Sequence, residues 1–282
     1  MGPFPAVNTL IPSPAEPPCT IENHSLRGLE SMDPYATIAA YYDLEHAESL
    51  DDIQLYLNLV VSGPVLELGA GTGRITEALV RAGHEVWAVD RSAAMLQRAA
   101  ERLKELPGAH LVEAGTGGLA DGEVPSHFRV AVLSLNFLWH LPSWEMQLAA
   151  LREVHQHVVH SALVMVDLTN PLSMADRGAD GEMRERFAIR YKSGTLMGSS
   201  VAWDDAADQR LLLKLIYDEV AQDGLVHRSA ANLDLKYIYR AELEIMLQTA
   251  GFQLEFLYGS YDLDPYQSDS PNLIAVCRAE KA

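Results

Sequence analysis

The sequence predicts an α/β fold: a doubly wound, mostly parallel sheet carrying an inserted antiparallel β lid. Three features support this. Val65 to Leu68 is a short apolar run that enters a G-x-G-x-G turn, Gly69-Ala70-Gly71-Thr72-Gly73, followed by a helical pattern with Ile75, Leu79 and Val80 on one face. From there to about residue 171, apolar runs alternate with helical patterns, the rhythm of βαβ units. Residues 172–240 break that rhythm with period-two alternation around Asp223-Gly224, a hairpin signal.

Taken in order, the chain opens with a Pro-rich tail, residues 1–30, expected to be disordered. Pro3, Pro5, Pro12, Pro14, Pro17 and Pro18 remove donors and block regular structure there. From Asp33 onward, Ile38, Tyr41 and Tyr42 suggest one short helix, and Leu50 to Val61 another. The helix after the glycine turn closes near Gly83. Glu85 to Val89 reads as a second strand ending in Asp90. Ser92 caps the next helix, whose buried stripe is Met95, Leu96, Ala99 and Leu103. His110 to Val112 is strand three, and residues 115–126 form a loop.

Val130 to Leu135 is strand four, an unbroken apolar run suited to burial on both faces. Ser143 caps a long helix with Leu148, Leu151, Val154 and Val158 on its inner side. Ala162 to Val166 is strand five. Phe187 to Tyr191, Leu211 to Val220 and Leu225 to Leu235 supply the antiparallel insert. A helix through Leu243, Met246, Leu247 and Ala250 is closed by Gly251, and two strands, Phe252 to Tyr258 and Leu273 to Cys277, end the chain.

A length of 282 residues and 48% hydrophobic content suffice for one large α/β domain with an elaboration. The net charge of −18 repels phosphate backbones and anionic lipid, so neither nucleic acid nor membrane is an expected partner. Cys19 and Cys277 make no metal spacing and no disulfide framework, which fits a cytoplasmic setting. No apolar run has transmembrane length, and no secretory signal is visible.

The glycine turn points to a ligand. Its backbone bends sharply and admits close approach, and the helix start behind it favours an anionic group. A dinucleotide G-x-G-x-x-G pattern fails, because Arg74 stands where its third glycine would fall. Asp90, at the end of the second strand, is placed to accept both hydroxyls of a ribose.

With Glu67-x-Gly69-x-Gly71-x-Gly73 and Val89-Asp90-x-Ser92-x-x-Met95-Leu96, the chain resembles the class I S-adenosylmethionine (SAM) dependent methyltransferases of small-molecule type. The resemblance implies a Rossmann-like sheet with an antiparallel C-terminal strand. It also implies residues 31–171 and 241–282 as the SAM-binding domain, with 172–240 as its lid. SAM is the implied cofactor, with no metal. Gly69, Gly71 and Gly73 would pass its methionine part, with Glu67 and Ala70 beside them, and Asp90 would hold its ribose. Arg91, Met95 and Leu135 complete this side. Relatives place a Gly-Asp pair at the adenine; here the pair reads Gly115-Thr116, expected on the same side of the cofactor, where Thr116 can hydrogen-bond the adenine but a charge-assisted contact is absent.

The implied reaction moves a methyl group to an N or O atom of a small molecule by in-line displacement. His140 is the first candidate for a base, since its segment follows strand four and its ordinary pKa suits the task; the other reading is a structural hydrogen-bonder. Asn136 is expected to contact the cofactor or orient the acceptor. Tyr42 either reaches the cofactor or packs. Phe137, Trp139, Tyr237, Tyr239 and Arg240 are further candidates near the acceptor. Two other classes share the same signature: a SAM-cleaving enzyme that releases methylthioadenosine, and a non-catalytic SAM-binding module. The lid doubles as a candidate homodimer surface.

Overall fold

The computed structural model describes residues 33–47, 50–114, 119, 124–173 and 178–281. The Pro-rich tail and the Gly115-Thr116 pair lie outside the described residues. The chain begins with α1 (Pro34–Ala39), α2 (Tyr42–Glu45) and α3 (Asp51–Leu59). Asp33 caps α1 by accepting from the backbone N–H of Tyr35 at 3.0 Å, and Pro34 occupies the first helical position.

β1 (Val65–Leu68), α4 (Arg74–Arg81), β2 (Val86–Asp90), α5 (Ala93–Leu103), β3 (Ala109–Glu113) and β4 (Phe128–Leu133) follow. A 3₁₀ turn (Phe137–His140) leads to α6 (Trp144–His157) and β5 (Val158–Thr169). Ser92 and Ser143 cap α5 and α6, accepting from Met95 N and Met146 N, each at 3.4 Å.

The four long strands β6 (Asp180–Tyr191), β7 (Gly194–Asp205), β8 (Arg210–Val220) and β9 (Val226–Lys236) come next. Then α7 (Arg240–Thr249), β10 (Phe252–Tyr258) and β11 (Asn272–Ala279) close the chain.

The main sheet has the order β10-β11-β5-β4-β1-β2-β3. It is parallel except for β11, which runs antiparallel to both β5 and β10. The strand order reverses between β1 and β4, and ligands in such sheets sit beyond the strand ends at that reversal. One face buries Leu66, Leu133 and Val166 with α6 and α7 residues such as Leu151 and Leu243. The other buries Val65, Val132, Met165 and Ile274 with Leu55 and Tyr56 of α3 and Leu79 of α4.

β6 to β9 form a separate antiparallel sheet in sequential order. Leu196, Leu215, Tyr217 and Ala231 on its inner side cluster with Ile38 and Ala39 of α1, Tyr41, and Met95 of α5. Tyr41 stacks on Tyr217 at 4.5 Å, and its hydroxyl donates to Glu219 at 2.9 Å. Arg186 pairs with Glu45 of α2. The first helices therefore connect the two sheets.

Three features differ from the expectation. Strand four stops at Leu133, not Leu135, because Leu135 and Asn136 adopt left-handed backbone (φ 46 and 64) and Asn136 N–H donates to Asp167 O at 2.9 Å. Val158 opens β5 instead of ending α6, and β5 is longer at both ends than expected. β7 was not expected at all: Gly198, Ser199 and Ser200 blur its alternation. Gly198 is required there, since a Cβ would collide with the Phe187 ring on β6. Among the described residues, no helix is long and apolar enough to cross a membrane.

Candidate active site

The glycines of the turn serve different ends. All three have left-handed φ: +74 at Gly69, +57 at Gly71 and +76 at Gly73. A Cβ at Gly69 would lie 2.9 Å from Phe137 Cδ2, and one at Gly73 3.0 Å from Leu103 Cδ1. Those two glycines therefore let protein pack against protein. A Cβ at Gly71 would meet nothing nearer than the Gly69 carbonyl at 4.0 Å. Of the three, the middle glycine alone faces open space.

Asp90 stands beside it. Its Oδ2 accepts from Gly71 N–H and its Oδ1 from Ser92 N–H, both at 2.8 Å. A carboxylate offers about four lone-pair sites, so each oxygen retains one for a ribose hydroxyl. Burial pulls the Asp90 pKa upward, against the two N–H contacts that lower it. Ser92 Oγ in turn donates to Asp33 Oδ2 at 2.6 Å. α1 is thus mounted on the segment that follows Asp90. The Arg91 guanidinium lies 5.2 Å above the Tyr35 ring centre, and the Tyr35 hydroxyl lies 2.5 Å from His140 Nδ1. Met95 packs beneath α1.

On the α3/α4 side, Glu67 is fully buried, and its Oε2 accepts from Thr76 Oγ1 at 2.6 Å. Its Oε1 and the buried Ser134 Oγ have no hydrogen-bond partner among the described residues. Desolvation pushes Glu67 up to about 7. Asp167, at the end of β5, accepts from Tyr56 at 2.8 Å and Tyr261 at 3.2 Å; burial raises it to about 6. Arg74 forms an ion pair with buried Asp52 of α3, and Thr72 Oγ1 donates to Asp43 of α2 at 2.6 Å. These contacts hold the N-terminal helices over the glycine turn.

The sequence-predicted catalytic residues fall in different settings. His140 joins the Tyr35–Arg91 cluster; desolvation first, and Arg91 second, lower its pKa to about 4, away from the neutral range expected of it. Asn136 engages both ends of its amide with Thr169: Nδ2 donates to Oγ1 at 3.1 Å, and Oδ1 accepts from Thr169 N–H at 2.6 Å. Tyr42 stacks on His46 at 4.2 Å, and burial pushes its phenol up to about 12. Leu135 packs toward the α3/α4 cluster.

Farther from this cluster, Trp139 is buried and tilted against Tyr237, whose hydroxyl donates to Asp204 at 3.0 Å. Arg240 pairs with Glu244 along its own helix at 2.7 Å. Sequence reasoning missed Asp33 and Tyr35. The Asp33-Pro34 pair was the available signal, as a helix cap, but nothing local reveals that this cap also reaches Ser92.

An open glycine beside a carboxylate with free acceptor sites, at the order reversal of a doubly wound sheet, is an arrangement suited to a nucleoside-containing ligand. Comparison with known proteins makes this specific. A family described as a methyltransferase domain matches residues 65–160. The chain is 28% identical over 213 residues to the cypemycin N-terminal methyltransferase of Streptomyces sp, covering 75% of this chain and 81% of that protein. Its fold matches the CcbJ methyltransferase of Streptomyces caelestis with a TM-score of 0.72 at 23% identity, over 88% of this chain and 98% of that one. SAM-bound CalS10 of Micromonospora echinaspora, an amino pentose methyltransferase, matches with a TM-score of 0.63 at 19% identity, over 85% of this chain and 95% of that one. These findings support a class I SAM-dependent methyltransferase, with SAM as the cofactor.

Proposed function

We propose that this enzyme methylates the nitrogen of an amine on a small natural-product-like molecule, by in-line displacement. The observation that carries the reading is the open Gly71–Asp90 cradle, flanked by a cluster of aromatic and imidazole groups: Tyr35, Tyr42 and His140. Similar proteins carry names that point to nitrogen, an N-terminal methyltransferase and a sugar N-methyltransferase, which favours nitrogen over oxygen.

When bound, SAM supplies a methyl group on a sulfonium leaving group. The work of the chain is alignment and exclusion of water. Gly71 and Asp90 hold the ribose side, and Arg91 and Met95 flank it. Tyr35 and Tyr42, both pushed up to about 12 by burial, stay protonated near neutrality and serve as donors. Asn136 acts through Thr169, fixing the turn after β4. The amine enters with its lone pair free, because an ammonium has none to offer. Residues 172–240 serve as the lid over the acceptor, within a domain formed by 31–171 and 241–282. Exposed Trp203 and Leu212, paired across β7 and β8, are where a second copy would pack.

The test is a panel of small amines, alcohols and carboxylates incubated with methyl-labelled SAM. Label in an amine, with one S-adenosylhomocysteine released per transfer, is the expected result. Label confined to alcohols, or release of methylthioadenosine without methylation, overturns the reading.

A further inference from the structure

We propose that Tyr35 is a positioning residue of the acceptor site, and that it makes His140 a hydrogen-bond donor toward the acceptor instead of its base. The proposal rests on the methyl-transfer reading above.

Tyr35 is held from three directions. Its backbone N–H donates to Asp33, the same Asp33 accepts from Ser92 beside the ribose acid, and its ring lies under Arg91. Its hydroxyl reaches His140 Nδ1 at 2.5 Å, with the two rings edge to face at 5.6 Å. A phenol pushed up to about 12 carries its proton at any physiological pH, and Nδ1 is the acceptor that its hydroxyl meets among the described residues, so the hydroxyl is assigned as donor and Nδ1 as acceptor. A neutral imidazole has one acceptor nitrogen and one donor nitrogen. With Nδ1 accepting, the ring proton resides on Nε2.

That nitrogen has no hydrogen-bond partner among the described residues, and His140 is only half-buried, in the segment after β4 at the ligand end of the sheet. A second proton on the ring would turn the Tyr35 hydroxyl away and place a cation near Arg91 in a desolvated cluster. The ring therefore stays neutral and offers Nε2–H. The amine lone pair of the acceptor is committed to the methyl group. The partner of Nε2–H is accordingly an oxygen next to that amine, a carbonyl or a hydroxyl, which narrows the acceptor class to amino amides and amino alcohols.

The decisive measurement needs no turnover. The full chain with ring-¹⁵N histidine is saturated with S-adenosylhomocysteine and followed by NMR from pH 8 to pH 4, His140 being assigned by the signal missing in His140→Gln. The expected spectrum has an unprotonated Nδ1, a protonated Nε2 and no titration above about pH 5, and Tyr35→Phe mixes the two tautomers. A proton on Nδ1, or titration near 6.5 in the native protein, overturns the proposal.

Kinetics on an acceptor found in the amine panel add a second readout. Gln places an N–H near the position of Nε2, so a donor role predicts that His140→Gln keeps kcat within about tenfold, the scale of one neutral hydrogen bond. A base role predicts a loss of about 10²- to 10⁴-fold, which would overturn the proposal. If no amine is methylated but the tautomer is as expected, the amine reading fails while the Tyr35–His140 geometry stands.

Discussion

In the main sheet, β4 and β5 run Val130-Ala131-Val132-Leu133 beside Leu163-Val164-Met165-Val166, buried on both faces. The strands of the four-stranded sheet behave differently. β8 buries Leu215 and Tyr217 on one side and exposes Leu212 and Lys214 on the other. Its surface is laced by cross-strand ion pairs, Arg210–Asp234 at 2.5 Å and Arg228–Asp218 at 2.6 Å. The first sheet is its domain's own core. The second has one apolar face, and α1, Tyr41 and Met95 cover it. Damage to the first should be felt everywhere, whereas damage to the second should be felt through α1 at the acceptor side.

Paired truncations make the sharpest test. Leu133→Ala and Leu215→Ala each remove a buried leucine, and each should cost about 2–5 kcal/mol in urea unfolding. Only Leu133→Ala should also weaken SAM binding, because β4 ends beside the glycine turn, where Phe137 packs on Gly69. If Leu215→Ala lowers SAM affinity equally, the two regions are not separable in this way.

Asp90→Ala probes the cofactor side without touching either core. Removing acceptors for two ribose hydroxyls should weaken SAM binding by about 2–4 kcal/mol, given roughly 1.5–3 for each charge-assisted hydrogen bond and imperfect additivity. Calorimetric titration checks it, and an unchanged affinity would remove Asp90 from the site.

Glu67, like Asp167, makes the stability of the main sheet depend on pH. The folded pKa of Glu67, about 7, lies above its ordinary value of 4.5. Its contribution is therefore complete below pH 4.5 and lost as pH rises through 7. Glu67→Gln abolishes that loss. Its melting temperature should exceed the native one by several degrees at pH 8, at roughly 2–4 °C per kcal/mol for a domain of this size, and match it near pH 4. Equal curves at both pH values would show that Glu67 is ionised at little cost.

The smallest effect belongs to the outer side of the second sheet. Arg228→Ala breaks an exposed pair, Arg228 being 61% exposed, and should cost under about 1 kcal/mol, less at high salt. A larger loss would mean that this surface is covered, as it would be by a second copy of the chain.

Much of this was legible because it is local. Val65 to Leu68 followed by three glycines can make little other than a strand entering a tight turn, and Asp90 sits at the end of the next apolar run. The caps Ser92 and Ser143 and the Asp223-Gly224 hairpin were readable for the same reason. β7 was not, because Gly198 answers to the Phe187 ring on a neighbouring strand and to nothing in its own segment.

The sequence by itself determined the strand–turn–helix elements, the glycine turn and the place of Asp90 at the end of the second strand, since propensity, capping and burial period act over a few residues. The tertiary structure alone decided how side chains far apart in sequence are used. Asn136, expected to contact the cofactor or orient the acceptor, has both ends of its amide on Thr169. Asp167 draws together Tyr56 and Tyr261. Tyr35 meets His140 across 105 positions, and burial there moves a histidine of ordinary pKa to about 4. A partner, and the desolvation that sets a proton affinity, depend on which segments the sheet order brings together. No spacing along the chain encodes that.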